Sequence, residues 1–141
     1  MIITSSDKPL CVIGFAGSTI THDVMHFFSK AWHDTVYLLT PDEFLNLDDK
    51  NKYQYMVFFT LDKIKRLQVI DVIETMYLDC FSYVDPTAVT YKDFSNIPIE
   101  EVRQVFGHGS VISPFSSMLY GSTIGKHSLL ETYCLLSHHS T

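Results

Sequence analysis

The chain has 141 residues, room for one ordinary domain or two small modules. At 46% hydrophobic, 13% aromatic and 18% charged it is a globular composition, which excludes a disordered or low-complexity chain. Ten basic residues against sixteen acidic ones leave a net charge of −6, the opposite of what a nucleic-acid binder needs.

From residue 9 to about 82, apolar runs alternate with helical patterns. Pro9–Ile13 is a short apolar run that stops at Gly14-Phe-Ala-Gly-Ser-Thr19. Ile20, Val24, Phe27, Phe28 and Trp32 then fall at helical spacing, with Thr19 or Thr21 available as the N-cap. Thr35–Leu39 reads as a second strand, ended by Thr40-Pro41-Asp42. The acidic residues Asp42, Glu43, Asp48 and Asp49 read as a solvated loop, with Asp42 a candidate contact to a ribose or base. Tyr53–Phe59 is a third strand, continuous and aromatic as befits one covered on both faces. Residues 62–78 give the clearest helix, with Ile64, Leu67, Ile70, Val72 or Ile73 and Tyr77 expected along one side. This order is that of a small α/β sheet with parallel crossovers.

From residue 106 the period becomes six. Phe106, Ile112, Met118, Ile124, Leu130 and Leu136 are apolar and evenly spaced. Four residues after each stands a small one: Ser110, Ser116, Ser122, Ser128, Cys134 and Ser140. Neither a helix nor an antiparallel sheet repeats at six, whereas a parallel β-helix does. Each hexapeptide then supplies one short strand of a triangular coil, its large residue filling the core and its small one the corner. Val84-Asp85-Pro86-Thr87-Ala88-Val89 has the same apolar and small positions, separated from Phe106 by an excursion from Thr90 to Val105. Within it, Ser95-Asn-Ile-Pro98 before Glu100-Glu101 predicts the capped start of a short helix. His108 and His127 fall at the third and fourth hexapeptide positions and are expected to face solvent.

The glycine-rich turn after the first strand, the Asp-Pro-Thr-Ala-Val lead-in at 85–89 and the hexapeptides carrying Leu136-Ser137-His138 together resemble the NeuD/PglD-type sugar acetyltransferases, within the hexapeptide-repeat acyltransferases. The resemblance covers nearly the whole chain. It implies a Rossmann-like domain at 1–82 that binds a nucleotide sugar, with a UDP-sugar the natural candidate. It also implies the start of a left-handed parallel β-helix at 83–141, with repeats at 106–141 and an insertion at 90–105. Acetyl-CoA is the implied co-substrate, and a homotrimer the implied assembly, with no metal. In the family a histidine two residues after an apolar hexapeptide position is the general base, usually followed by an acid. His138 occupies that place, and His139 stands where the acid is expected.

The chemistry of these positions is independent of the family. Acetyl transfer needs a base for the proton of an attacking amine or hydroxyl, and an imidazole of pKa about 6.5 suits neutral pH. Gly14, Ala16, Gly17 and Ser18, between a strand and a helix, would let backbone N–H groups approach a phosphate. Because the turn departs from G-x-G-x-x-G, a nicotinamide or flavin cofactor is not favoured. In the resembling family this turn usually reads Gly-x-Gly-Gly-His, where Ser18-Thr19 stands here, and a glycine follows the third strand, where Phe59-Thr60 stands; Thr60 is therefore a further candidate contact. His22 and His26, one helical turn apart, superficially resemble H-E-x-x-H but read as an exposed helix face.

No stretch approaches the ~20 apolar residues of a membrane span, and the start, MIITSSDKPL, lacks the features of a signal peptide. Cys11, Cys80 and Cys134 lie far apart, which fits a reducing cytoplasm and no structural zinc. Two coils would finish on an open row of strand edges, so the expectation is an N-terminal portion of a longer enzyme or a shortened relative. The two functional readings are an acetyl-CoA-dependent acetyltransferase of nucleotide-linked or surface-polysaccharide (amino) sugars, in a truncated form, and a non-catalytic nucleotide-sugar-binding and oligomerisation module.

Overall fold

The computed structural model describes every residue but Ala16, with only the backbone of Thr19 and Ile20. The protein is mixed α/β with parallel sheets, and it divides into two compact units. One is Ser6–Cys80; the other joins Met1–Ser5 to Phe81–Thr141. The chain starts in the second unit, because β1 (Ile2–Ile3) pairs antiparallel with β5 (Ser82–Val84). In sequence, the first unit is thus inserted between two neighbouring strands of the second.

In the Ser6–Cys80 unit, β2 (Leu10–Ile13) lies between β3 (Val36–Leu39) and β4 (Gln54–Val57), all parallel. Every residue of β2 and β4 is buried, as expected for strands covered on both faces. Alternation sends Cys11, Ile13, Tyr55 and Val57 to one face, where they pack with Phe44, Val69 and Ile73 of the helices. Gln54, fully buried, is satisfied by donating to the carbonyls of Ser6 and Lys8 at 3.1 and 2.7 Å.

Two helices connect these strands and a third follows β4, and each departs from expectation in an instructive way. Helix α1 (Thr19–Ala31) is capped by Ser18, one residue before the expected caps, with its hydroxyl accepting from the Thr21 amide. The acidic stretch after β3 is no loop at its start but α2 (Pro41–Leu45). Thr40 and Glu43 cap it reciprocally, and Pro41 supplies the first helical position. Helix α3 (Lys63–Thr75) is capped by Asp62, ends three residues short of the expected 62–78, and turns only part of the expected side inward, Ile73 with Ile70 and Val72 beside it. Val69 and Ile73 are buried, whereas Ile64, Leu67 and Tyr77 are 75%, 55% and 92% exposed. At 100° per residue Ile64 and Leu67 lie nearly opposite Val69, so they cannot share its contact with the sheet.

In the second unit β6 (Val89–Thr90), β7 (Val111–Ile112), β8 (Ser117–Met118), β9 (Leu129–Leu130) and β10 (Leu135–Leu136) form parallel ladders β5-β7-β9 and β6-β8-β10. Ile112 pairs with Leu130, Met118 with Leu136 and Phe106 with Ile124, each eighteen residues apart. Three hexapeptides thus separate stacked partners. Val84, Phe106, Ile112, Met118 and Ile124 are buried together, so the apolar position of the repeat points inward. Thr90 takes that position in β6 opposite Met118, which moves the start of the excursion to residue 91. The excursion carries α4 (Ile99–Val105), whose N-cap is Pro98 without a side-chain cap rather than Ser95.

The corners show a feature that composition hides. Gly109, Phe115, Gly121, His127, Tyr133 and His139 all have positive φ, between 53° and 75°, and they too recur every six residues. Each directly precedes a small residue. The serines at 116, 122 and 140 turn their hydroxyls back to the carbonyls of Ser113, Leu119 and Ser137. At these three corners the hydroxyl adds a second bond to a carbonyl that the same serine's amide already reaches, whereas the buried Ser110 hydroxyl has no hydrogen-bond partner among the described residues.

Corners eighteen residues apart also touch. The rings of Phe115 and Tyr133 stack at 5.4 Å and 12°. Gly109 sits on the ring of His127, and Gly121 on that of His139. His127 is in consequence 6% exposed, not the solvent-facing residue its place in the repeat suggests. A Cβ on Gly109 would lie 2.5 Å from the His127 Nδ1. Gly109→Ala should therefore cost about 2–4 kcal/mol in urea unfolding, combining clash with left-handed strain. Gly17→Ala, where nothing lies within 4 Å of the added carbon, should leave the midpoint unchanged.

Candidate functional site at the carboxyl edge of the parallel sheet

The strand order β3-β2-β4 means that the chain leaves β2 to one side and returns on the other. The point of reversal lies between the carboxyl ends of β2 and β4, where open parallel sheets hold ligands. The sequence-predicted residues Gly14, Gly17, Ser18 and Thr60 follow those two ends directly. Ala16 lies outside the described residues.

Gly14 and Gly17 do different work. The Gly14 amide donates to Leu39 O at 2.9 Å, and the Phe58 amide to Ile13 O at 2.8 Å, carrying the three-strand pairing past its last residues. A side chain at Gly14 would meet Phe58 O at 2.9 Å, so a close backbone approach requires this glycine. Gly17 is exposed with open space around it and no strained φ, so packing does not require it. Ser18 spends its hydroxyl on the helix cap. The first-turn amides of α1 have no intrahelical acceptors and sit at the positive end of the helix dipole.

Around this turn stand Phe15, 40% exposed and edge-on to Phe59 at 5.2 Å, and Thr60, exposed between β4 and α3. Asp42, in the first turn of α2, accepts from Lys65 of α3 at 2.8 Å, and this contact raises the lysine above its ordinary pKa. Arg66 donates to Phe59 O at 3.0 Å. Beneath the turn, burial pushes the Cys11 thiol up to about 12, so it remains protonated and unreactive at neutral pH. His22 and His26 are exposed on α1.

His138 belongs to the other unit. It is exposed in the turn after β10 and has no hydrogen bond or ion pair among the described residues. Its neighbour His139 is occupied at the corner with Gly121 and, edge-on at 5.9 Å, with Tyr120.

The lead-in segment holds a polar cluster that the repeat pattern did not disclose. Asp85 accepts from the Thr87 amide at 2.9 Å, from its hydroxyl at 2.6 Å and from the Tyr83 hydroxyl at 2.9 Å. The Thr87 hydroxyl oxygen also accepts from the Phe115 amide at 3.0 Å, tying the first turn to the next coil. Asp-Pro-Thr is the readable signal, since Asp two residues before Thr closes a side-chain turn.

No family model, no curated protein and no solved structure matches this chain. No helix among the described residues is long and apolar enough to cross a membrane.

Burial opposes ionisation of Asp85, but the bonds from Thr87 and Tyr83 outweigh it and hold the carboxyl below its ordinary value. A depressed native pKa contributes stability above the unfolded value, lost as pH falls through the native one. Unfolding free energy should therefore decline from about pH 5 down through and below about 3.8. Asp85→Asn should flatten that decline in urea titrations while costing about 1–3 kcal/mol at pH 7. An unchanged acid limb in the variant would exclude Asp85 as its source.

Proposed function

We propose that the protein acts on a nucleotide-linked sugar, with the Ser6–Cys80 unit as a Rossmann-like binder of the nucleotide sugar. On this reading the second unit is the start of a left-handed β-helix of the hexapeptide acyltransferase kind. One observation carries the reading: inward apolar residues, left-handed corners and parallel partners all repeat in step, at six and eighteen residues. A hexapeptide coil needs all three together.

In the catalytic form of the proposal, His138 takes the proton of the acceptor amine or hydroxyl. The acceptor attacks the thioester carbonyl of acetyl-CoA, and the thiol leaves with a proton as the amide or ester forms. The exposure of His138 without a carboxylate to orient it favours the second reading. In that reading the unit binds a nucleotide sugar and assembles, without transfer.

Titration calorimetry with a UDP-amino sugar and, separately, with CoA distinguishes the readings. Binding to the UDP-sugar should be lost or weakened at least ~tenfold by Gly17→Ala, a change that leaves the fold alone. CoA heat, with acetyl transfer falling by about 10²–10⁴ in His138→Ala, supports the enzyme. UDP-sugar heat without CoA heat supports the binding module, and neither heat rejects both.

Self-association is the second part of the proposal. Val89 and Leu135 are each 61% exposed on the outer side of the β6-β8-β10 ladder, beside Phe115 and Tyr133 at 55% and 78%. These exposed apolar side chains, on either side of Ser117 of β8, are covered when copies pack. Sedimentation should show a trimer that Leu135→Asp converts to monomer; a wild-type monomer at tens of micromolar would reject it.

A further inference from the structure

Two histidines that stand nineteen residues apart in the sequence become neighbours in the coil. Stacked partners are eighteen residues apart, so His127 follows by one the position that stacks on His108. Their rings lie 5.1 Å apart at 72°, and the His127 amide donates to His108 O at 2.9 Å. A ring nitrogen of one lies within 4.8 Å of a ring nitrogen of the other. Neither histidine belongs to a short motif; the stacking of one coil on the next creates the pair.

A second corner is built alike and isolates what is peculiar to the first. Gly121 lies on the ring of His139 as Gly109 lies on that of His127. Tyr120 stands edge-on to His139 as His108 does to His127. Packing against a glycine therefore accounts for a histidine at 127 and at 139 alike. It does not account for a second imidazole at 108, where the other corner has a phenol ring. His127 is also the enclosed one, 6% exposed, whereas His139 lies open to solvent.

Ser110 adds an independent sign in the same corner. It is 1% exposed, and its hydroxyl has no hydrogen-bond partner among the described residues. The corner serines at 116, 122, 128 and 140 each reach a carbonyl. A buried polar atom left open calls for a bound ion or water.

We infer that His108 and His127 bind a divalent metal ion of the zinc class. Neutral imidazole is the commonest side-chain ligand of such ions, and two imidazoles close together favour zinc over magnesium or calcium. Two nitrogens on a tetrahedral zinc stand roughly 3.4 Å apart, so a turn of the half-buried His108 ring closes the pair on the ion, with water completing its shell. The wide spacing of the cysteines speaks against a cluster of thiolates and leaves a site of imidazoles untouched. The ion cross-links the corner at 107–110 to the one at 125–128, and so binds the folded coil and not the unfolded chain.

The test is calorimetric titration of the full chain, stripped of metal, with Zn²⁺ alone. One equivalent should bind, and saturation should raise the melting midpoint by ~2–6 °C. His108→Tyr copies the residue of the second corner and should weaken binding at least ~tenfold. Replacing both His22→Ala and His26→Ala, which removes the exposed pair one turn apart on α1, should leave binding unaltered. Absence of binding in the wild type, binding that survives His108→Tyr, or binding lost with His22 and His26 would each overturn the inference. If His108→Tyr proves unfolded by circular dichroism, the imidazole resonances of the wild type decide. Zn²⁺ should displace those of His108 and His127 together, and displacement of any other pair rejects the site.

Discussion

The left-handed corner is the constraint on which the second unit depends. From residue 106 onward the chain turns from each two-residue strand to the next through one residue of positive φ per hexapeptide. Six such residues occur, at 109, 115, 121, 127, 133 and 139. Only two of them are glycines, so the chain bears a strain of about 1 kcal/mol or more at each of the other four. Its compensations lie in the same corners. Phe115 and Tyr133 stack on one another, and the two histidines each lie under a glycine whose missing side chain makes room for the ring. Glycine thus serves two ends at once, supplying its own conformation and admitting the ring of its neighbour eighteen residues on.

The Ser6–Cys80 unit depends on a different close approach, at Gly14. There two neighbouring backbones come too near for any Cβ, which fixes where β2 ends against β4. A glycine explained by packing is no longer a sign of a ligand. Gly17 gains interest by the same comparison, because packing leaves it unexplained. Ser18 stands between these cases: its hydroxyl caps α1, while its position at the helix start is the one a phosphate would approach.

Much of this architecture was legible in the sequence, and the failures share a cause. The period of six placed Phe106, Ile112, Met118 and Ile124 in the core correctly, because inward-pointing positions must be apolar wherever the strand repeats. What it could not show was which neighbours meet across a coil. Nothing local to His127 says that Gly109 lies over it, and so its burial was missed. Helix α3 was legible in part: Ile70, Val72 and Ile73 face the core as expected, while Ile64 and Leu67 do not. Both of its sides carry apolar residues, and only the placement of the sheet chooses Val69 and Ile73 over Ile64 and Leu67. By contrast α2 was readable and overlooked: Thr40-Pro41-Asp42-Glu43 is a capping box with proline at the first helical position. Its acidic composition suggested a loop, and composition is the weaker signal where a cap is spelled out.

Charge bears on the candidate site more sharply once the pairs are known. A net charge of −6 leaves few cations for a phosphate. Of the three on α3 nearest in sequence to Thr60, Lys63 is exposed while two are already engaged, Lys65 with Asp42 and Arg66 with Phe59 O. The Lys65–Asp42 pair is solvent-exposed, so opening it costs little and Asp42 stays available to a ribose hydroxyl. Arg66 is half-buried and bonded to backbone, so its release would leave a carbonyl unsatisfied. On the proposed nucleotide-sugar reading, an incoming diphosphate would draw on the Gly17 amide, on Lys63 and on Lys65 freed from Asp42, with the carboxylate passing to the sugar as the lysine passes to the phosphate. Both changes follow from one exchange at the weakest contact in the site.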